Sequence, residues 1–194
     1  MDGPFYASEA AETPEKRAIR EEYAELGPEE FYVQHGSDYR NPHEEAIRSA
    51  IRVAHGRWSL DLTKVLDLAC GSGEATLALR ELGAVEIEGA DPFTGDAFLK
   101  RTGRPALPLT FEQIAAGELG EAAYSLIVCS YALHLLEPSR LPALLWRLAE
   151  HAPHLLILSP HKRPEVQDDW GWRLAEELYH LRVRVRLFAR TTEP

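Results

Sequence analysis

Residues 64–83 read KVLDLACGSGEATLALRELG. An apolar run at Val65, Leu66 and Leu68 gives way to a tight loop carrying Gly71 and Gly73, after which Ala75, Leu77, Ala78, Leu79 and Leu82 recur at helical spacing. The stretch is a strand, a glycine loop and a helix. A helix starting at Ser72 or Gly73 turns its unpaired backbone N–H groups toward the loop, and glycine lets a ligand approach the backbone closely. An adenosine-containing ligand is the first expectation.

Outward from this stretch the pattern repeats. Further strands are expected near 84–90, 107–111, 124–130 and 154–159, and helices near 73–82, 93–101, 112–119 and 139–151. Alternating β and α units imply right-handed crossovers and a parallel sheet covered by helices on both faces. Ligands of such sheets bind at the carboxyl ends of the strands. Beyond the last unit, QDDWGWRLAEELYH (167–180) reads as a helix. LRVRVRLFAR (181–190) reads as a one-sided strand near a sheet edge, since Val183, Val185 and Leu187 alternate with arginines. Upstream, Thr13-Pro14-Glu15 starts a short acidic helix that Gly27-Pro28 ends. Asn41, Pro42 and Glu44 start a second helix, whose apolar face (Ala46, Ile47, Ala50, Ile51, Ala54) runs up to Gly56.

The chain of 194 residues suits one compact domain: an N-terminal helical extension over 1–57, a candidate lid, and the strand-helix unit over 58–194. A net charge of -10 disfavours broad attraction to nucleic acid, so small molecules or proteins are the expected partners. Cys70 and Cys129 lie far apart in apolar segments, with no other cysteine to build a disulfide framework or a zinc cluster, and no metal site is expected. No signal peptide or membrane-length apolar run is legible, which points to a cytoplasmic protein without membrane contact.

Counting G-x-G-x-x-G from Gly71 places Gly73 correctly but Thr76 at the third position, which weakens a dinucleotide reading. The frame Asp67-x-Ala69-x-Gly71-x-Gly73, the string DLACGSG, resembles motif I of the class I S-adenosylmethionine-dependent methyltransferases. Asp91 follows Gly73 by 18 residues at the end of the second strand, and YSLIVCSYALHLLEP (124–138) looks like the family's motif IV. The resemblance covers roughly residues 60–160. It implies a three-layer, Rossmann-like α/β sandwich with a mostly parallel sheet of about six strands, and S-adenosylmethionine as methyl donor. It places Asp67, Ala69, Gly71 and Gly73 at the cofactor, Asp91 with Pro92 at the ribose, Phe111 and Glu112 at the adenine, and Cys129 beside the methionine part. Tyr32, Tyr39 and Arg40 become candidates for the methionine end, and Tyr131 and His134 for the reacting end, with His134 the first base to test.

Each assignment has a plainer counterpart. Asp91-Pro92 is also a standard helix start, Asp67 is able simply to tie down the loop, the cysteines suit buried packing, and His134 suits the flank of a short helix. His161, Lys162, Arg163, Trp170 and Trp172 follow the fifth strand, where a loop suits an anionic or planar substrate as well as a solvated turn. The chain ends soon after Arg190, which leaves room for one terminal strand where the family has an antiparallel pair. A shortened edge completed by a second copy, a homodimer, is therefore expected. Two alternatives stand beside the methyltransferase: a noncatalytic protein of the same fold, and a nicotinamide-dependent oxidoreductase. The latter lacks a Y-x-x-x-K pair at every tyrosine. Motif IV lacks an NPPY-type sequence, so a small molecule or a protein side chain is the preferred acceptor.

Overall fold

The computed structural model describes residues 36–191. The expected helix over 13–27, and Tyr32 as part of a lid, lie outside the described residues. Seven strands form one sheet in the order β3-β2-β1-β4-β5-β7-β6. They are β1 (Lys64–Leu68), β2 (Glu86–Ala90), β3 (Ala106–Leu107), β4 (Leu126–Ser130), β5 (His154–Ser159), β6 (Trp172–His180) and β7 (Val183–Arg190). The first five run parallel, whereas β7 is antiparallel to both β5 and β6.

The central strands are apolar on both sides because both of their faces are covered. On one face, α1 (Glu44–Trp58) and α2 (Glu74–Glu81) pack Ile47, Ile51, Ala78 and Leu79 onto Val65, Ile87 and Val128. On the other, α4 (Phe111–Ala115) and α5 (Leu141–His151) pack Ile114, Leu144, Leu145 and Leu148 onto Leu66, Ile127 and Ile157. Each buried leucine or isoleucine contributes about 1.5–3 kcal/mol through area removed from water. α1 belongs to the same core as β1, so the N-terminal helix is no loose appendage. α3 (Gly95–Thr102) lies over β2, where a Cβ at Gly89 would sit 2.5 Å from the Phe98 ring. Strand order reverses between β1 and β4, and this switch point opens a crevice at the strands' carboxyl ends.

Three expectations need correction. The third strand is only Ala106–Leu107, not 107–111. Pro105 and Pro108 flank it and cannot donate to a ladder, and Thr110 forms a capping box with Gln113, so Phe111 and Glu112 open a helix rather than end a strand. Residues 167–180 are not a helix: one 3-10 turn, Asp168–Trp170, stops at Gly171 (φ 87) and β6 follows. Trp172 is fully buried with its indole N–H donated to the Leu145 carbonyl at 2.8 Å, and β7 supplies the ladder that outweighs the helix-forming character of LAEEL. Seven strands therefore replace about six. The chain provides its own antiparallel pair, β7 lies inside the sheet, and the polar β6 takes the edge, so no second copy is needed to complete it.

Candidate active site

A cavity of about 440 Å³ opens at the carboxyl ends of β1, β2 and β4, within the range of cofactor pockets. The glycine loop forms its floor. Ala69 (φ 52) and Gly71 (φ 55) turn the chain out of β1, and a Cβ on Gly71 would meet the Tyr39 ring at 3.3 Å. Gly73 does different work. At φ 91, its added Cβ would lie 2.6 Å from Cγ2 of Thr102, so this glycine lets α2 pack against α3 and does not face the cavity.

Two buried acids hold the loop. Asp67 accepts from the Thr76 amide (3.0 Å) and hydroxyl (2.6 Å) through Oδ2, pinning the first turn of α2 to β1, while its Oδ1 has no partner. Burial pushes its pKa up to about 7, against the lowering effect of the Thr76 bonds. Asp91 accepts from the Gly71 amide through Oδ2 (3.1 Å) and from the Phe93 and Thr94 amides through Oδ1 (2.9 and 3.0 Å). The Thr94 hydroxyl closes the ring by donating to the Gly71 carbonyl at 2.8 Å. Asp91 thus caps the turn before α3 and also reaches the cavity, where Oδ2 retains acceptor capacity.

Glu74 is a wall residue the sequence reading missed. It is buried, and its Oε1 accepts from the Asn41 amide (3.0 Å), from Arg101 (3.1 Å) and from the Ser72 hydroxyl. Arg101 also binds Glu44 at 2.6 Å, so the network ties the start of α1 to the glycine loop. An acid at the first position of a helix after two glycines was the available signal. Opposite, Leu109, Phe111, Ala132 and Leu136 give an apolar wall, and Arg140 crosses to Glu112, whose carboxyl its backbone hydrogen bond and Arg140 hold below the usual range.

Of the residues singled out from the sequence, Ala69, Gly71, Asp91, Pro92, Phe111, Glu112, Tyr39 and Tyr131 line the cavity. Asp67, Gly73 and Cys129 stand behind the wall, and Arg40 is exposed outside it. Burial pushes the Cys129 thiol up to about 12 and raises Cys70 further, so neither is a thiolate. Tyr131 has φ 58, a strained value for a tyrosine, and stacks on His43 with centroids 5.0 Å apart. Burial first, then the neighbouring Tyr179, pushes its phenol up to about 12. His134 does not reach the cavity; it meets His161 edge-on at 5.6 Å, and burial together with His161 lowers its pKa.

A parallel sheet with a glycine loop, an acid at the second strand's end and a cavity at the switch point defines a nucleoside-cofactor enzyme. Residues 65–152 match the family described as "Methyltransferase domain". An uncharacterised protein of Schizosaccharomyces pombe is 34% identical over 197 residues, covering 80% of this chain and 79% of that protein. Among solved structures, the magnesium protoporphyrin IX methyltransferase of Synechocystis PCC 6803 with bound S-adenosylmethionine superposes with a TM-score of 0.59 at 19% identity, over 95% of this chain and all of that one. The CcbJ methyltransferase of Streptomyces caelestis gives 0.59 at 14% identity, over 82% and 96%. The chain carries a methyltransferase domain with the fold of the class I S-adenosylmethionine-dependent methyltransferases. The nicotinamide alternative is set aside.

The walls fit that cofactor. Acids at Glu74 and Asp91 suit a cationic donor with ribose hydroxyls, the bare Gly71 backbone admits close approach, and the apolar wall suits a purine. No helix among the described residues is long and apolar enough to cross a membrane, and no group of three or more metal-ligating side chains occurs among them.

Proposed function

We propose that this methyltransferase holds its donor along the glycine loop, with Asp91 at the ribose, the Leu109–Phe111 segment at the adenine, and Tyr39, Asn41 and Glu74 at the amino-acid end, and transfers the methyl group to a small molecule. The supporting observation is Asp91: one carboxylate organises both loops of the switch point and still presents an acceptor to the cavity. When bound, the cofactor supplies an electrophilic methyl on a sulfonium, whose leaving thioether is neutral.

What remains for the protein is alignment and exclusion of water. Tyr131 stays protonated at neutral pH and donates or packs; it does not take a proton. No histidine lines the cavity among the described residues, and His134 stands beyond its wall. A small-molecule acceptor agrees with the neighbour named for magnesium protoporphyrin IX, which takes a small molecule by that name. Calorimetry with S-adenosylmethionine and with NAD tests the donor site: binding of the former at micromolar concentration supports it, and heat from NAD alone overturns it.

A further inference from the structure

A second cleft, of about 700 Å³, lies between the β5–β6 loop and the β6–β7 hairpin, lined by Pro160, His161, Lys162, Glu177, Tyr179 and Arg184. Its floor is one face of the hairpin, since Tyr179 pairs with Arg184 and Glu177 with Arg186 in the antiparallel register. Tyr179 is 69% exposed, a flat aromatic surface with nothing packed over most of it.

The charge here runs against the rest of the protein. Lys162 and Arg184 stand in the wall against Glu177 alone, in a chain whose net charge is -10. Directly beside Glu177 in the register is Arg186, only 6% exposed, with Nη1 donated to the Pro164 carbonyl at 2.6 Å and both Nε and Nη2 without a partner. A buried guanidinium with two unpaired donors is costly, and nearby Glu165 and Glu177 offset it only through space. The Glu177 carboxylate meanwhile occupies Arg184 Nε. The chain's own carboxylate therefore sits where a ligand carboxylate belongs.

The cleft also adjoins the donor cavity through the segment that leaves β4. Tyr131 lines that cavity and its amide donates to the Leu158 carbonyl at 2.9 Å, two residues before Pro160 of the cleft, and His134, three residues on, meets His161 of the cleft edge-on at 5.6 Å. The cleft thus lies beside the ends of β4 and β5, next to the mouth of the donor cavity.

We propose that this cleft binds the methyl acceptor and takes a small planar molecule bearing a carboxylate, the ring against Tyr179 and the carboxylate between Lys162 and Arg184. Its role as acceptor site rests on the reading of the first cavity as the donor site. The carboxylate is the handle, held at the cationic end, and the methylated atom lies elsewhere on the ring.

The test uses the full chain saturated with S-adenosylhomocysteine, with 2-naphthoate and its neutral analogue 2-naphthamide as probes, followed by calorimetry and by amide chemical shifts. Naphthoate is expected to shift the amides of Lys162, Tyr179 and Arg184 and to bind at least roughly tenfold more tightly than the amide. Lys162→Ala and Tyr179→Ala, both at exposed positions, weaken it severalfold while leaving S-adenosylhomocysteine affinity unchanged. Glu177→Gln strengthens it, because the competing carboxylate is gone. Equal affinity for naphthoate and naphthamide, shifts confined to other residues, or an unchanged affinity in Glu177→Gln overturns the proposal. Failure of naphthoate in protein that binds S-adenosylhomocysteine counts against the cleft alone; failure of S-adenosylhomocysteine itself counts against the donor site.

Discussion

The Asp91 carboxylate accepts the Gly71 amide at 3.1 Å, bridging 20 residues of sequence to join the glycine loop to the end of β2. Its other oxygen caps the turn into α3, so one side chain shapes the floor of the cavity and forms part of its wall.

Asp91→Asn tests that double role. The amide nitrogen cannot accept from Gly71, so either this bond or the two on the opposite oxygen must be given up. We expect a loss of about 1–3 kcal/mol in urea unfolding and a loss of S-adenosylmethionine affinity of at least roughly tenfold by calorimetry. Unchanged affinity would remove Asp91 from the donor site.

Gly73→Ala should destabilise the protein without acting through the ligand. The added Cβ meets Thr102 Cγ2 at 2.6 Å in a backbone at φ 91, and such strain and overpacking cost about 1–3 kcal/mol. Thr102→Ser removes that methyl while keeping the hydroxyl bonded to the Phe98 carbonyl, so the double variant recovers part of the loss in a denaturant cycle. No recovery would mean that backbone strain, and not the packing of α2 on α3, sets the requirement.

Asp67 links stability to pH. Its folded pKa of about 7 lies above the unfolded value near 3.8, so the folded state holds the extra proton between these values. Stability from this site is therefore present at low pH, falls as pH rises from about 4 to about 7, and is flat above that. Unfolding free energies of wild type and Asp67→Asn, measured across that window, should show the wild type losing ground with rising pH. A constant difference would show that Asp67 is ionised throughout.

Trp172→Phe examines the strand that replaced an expected helix. Losing the indole N–H bond to the Leu145 carbonyl and part of the ring leaves a void against α5, a cost of about 1–3 kcal/mol. Hydrogen exchange should quicken first along β6, the edge strand; faster exchange spread evenly through β1 and β4 would contradict that order.

The sequence by itself determined the glycine loop, its flanking strand and helix and the parallel core, while the donor was read from the resemblance of DLACGSG to motif I. The loop, the strand and helix and the core rest on local physics: apolar periodicity over a few residues, glycines where φ is positive, and an acid at a strand end. Asp67, Gly71, Gly73 and Asp91 were legible for that reason, although Asp67 and Gly73 serve the loop's architecture from behind the wall. Only the tertiary structure decided that 172–180 is a strand, because its ladder comes from β7, and that Arg186 is buried, because the loop at Pro164 lies against it. The same holds for Glu74, which is bound by Asn41 and Arg101 from 33 and 27 residues away, and for the cleft that brings Lys162 to Tyr179 and Arg184. Hydrogen-bond partners and charge neighbours distant in sequence have no local periodicity to announce them, and the fold alone sets which of them meet.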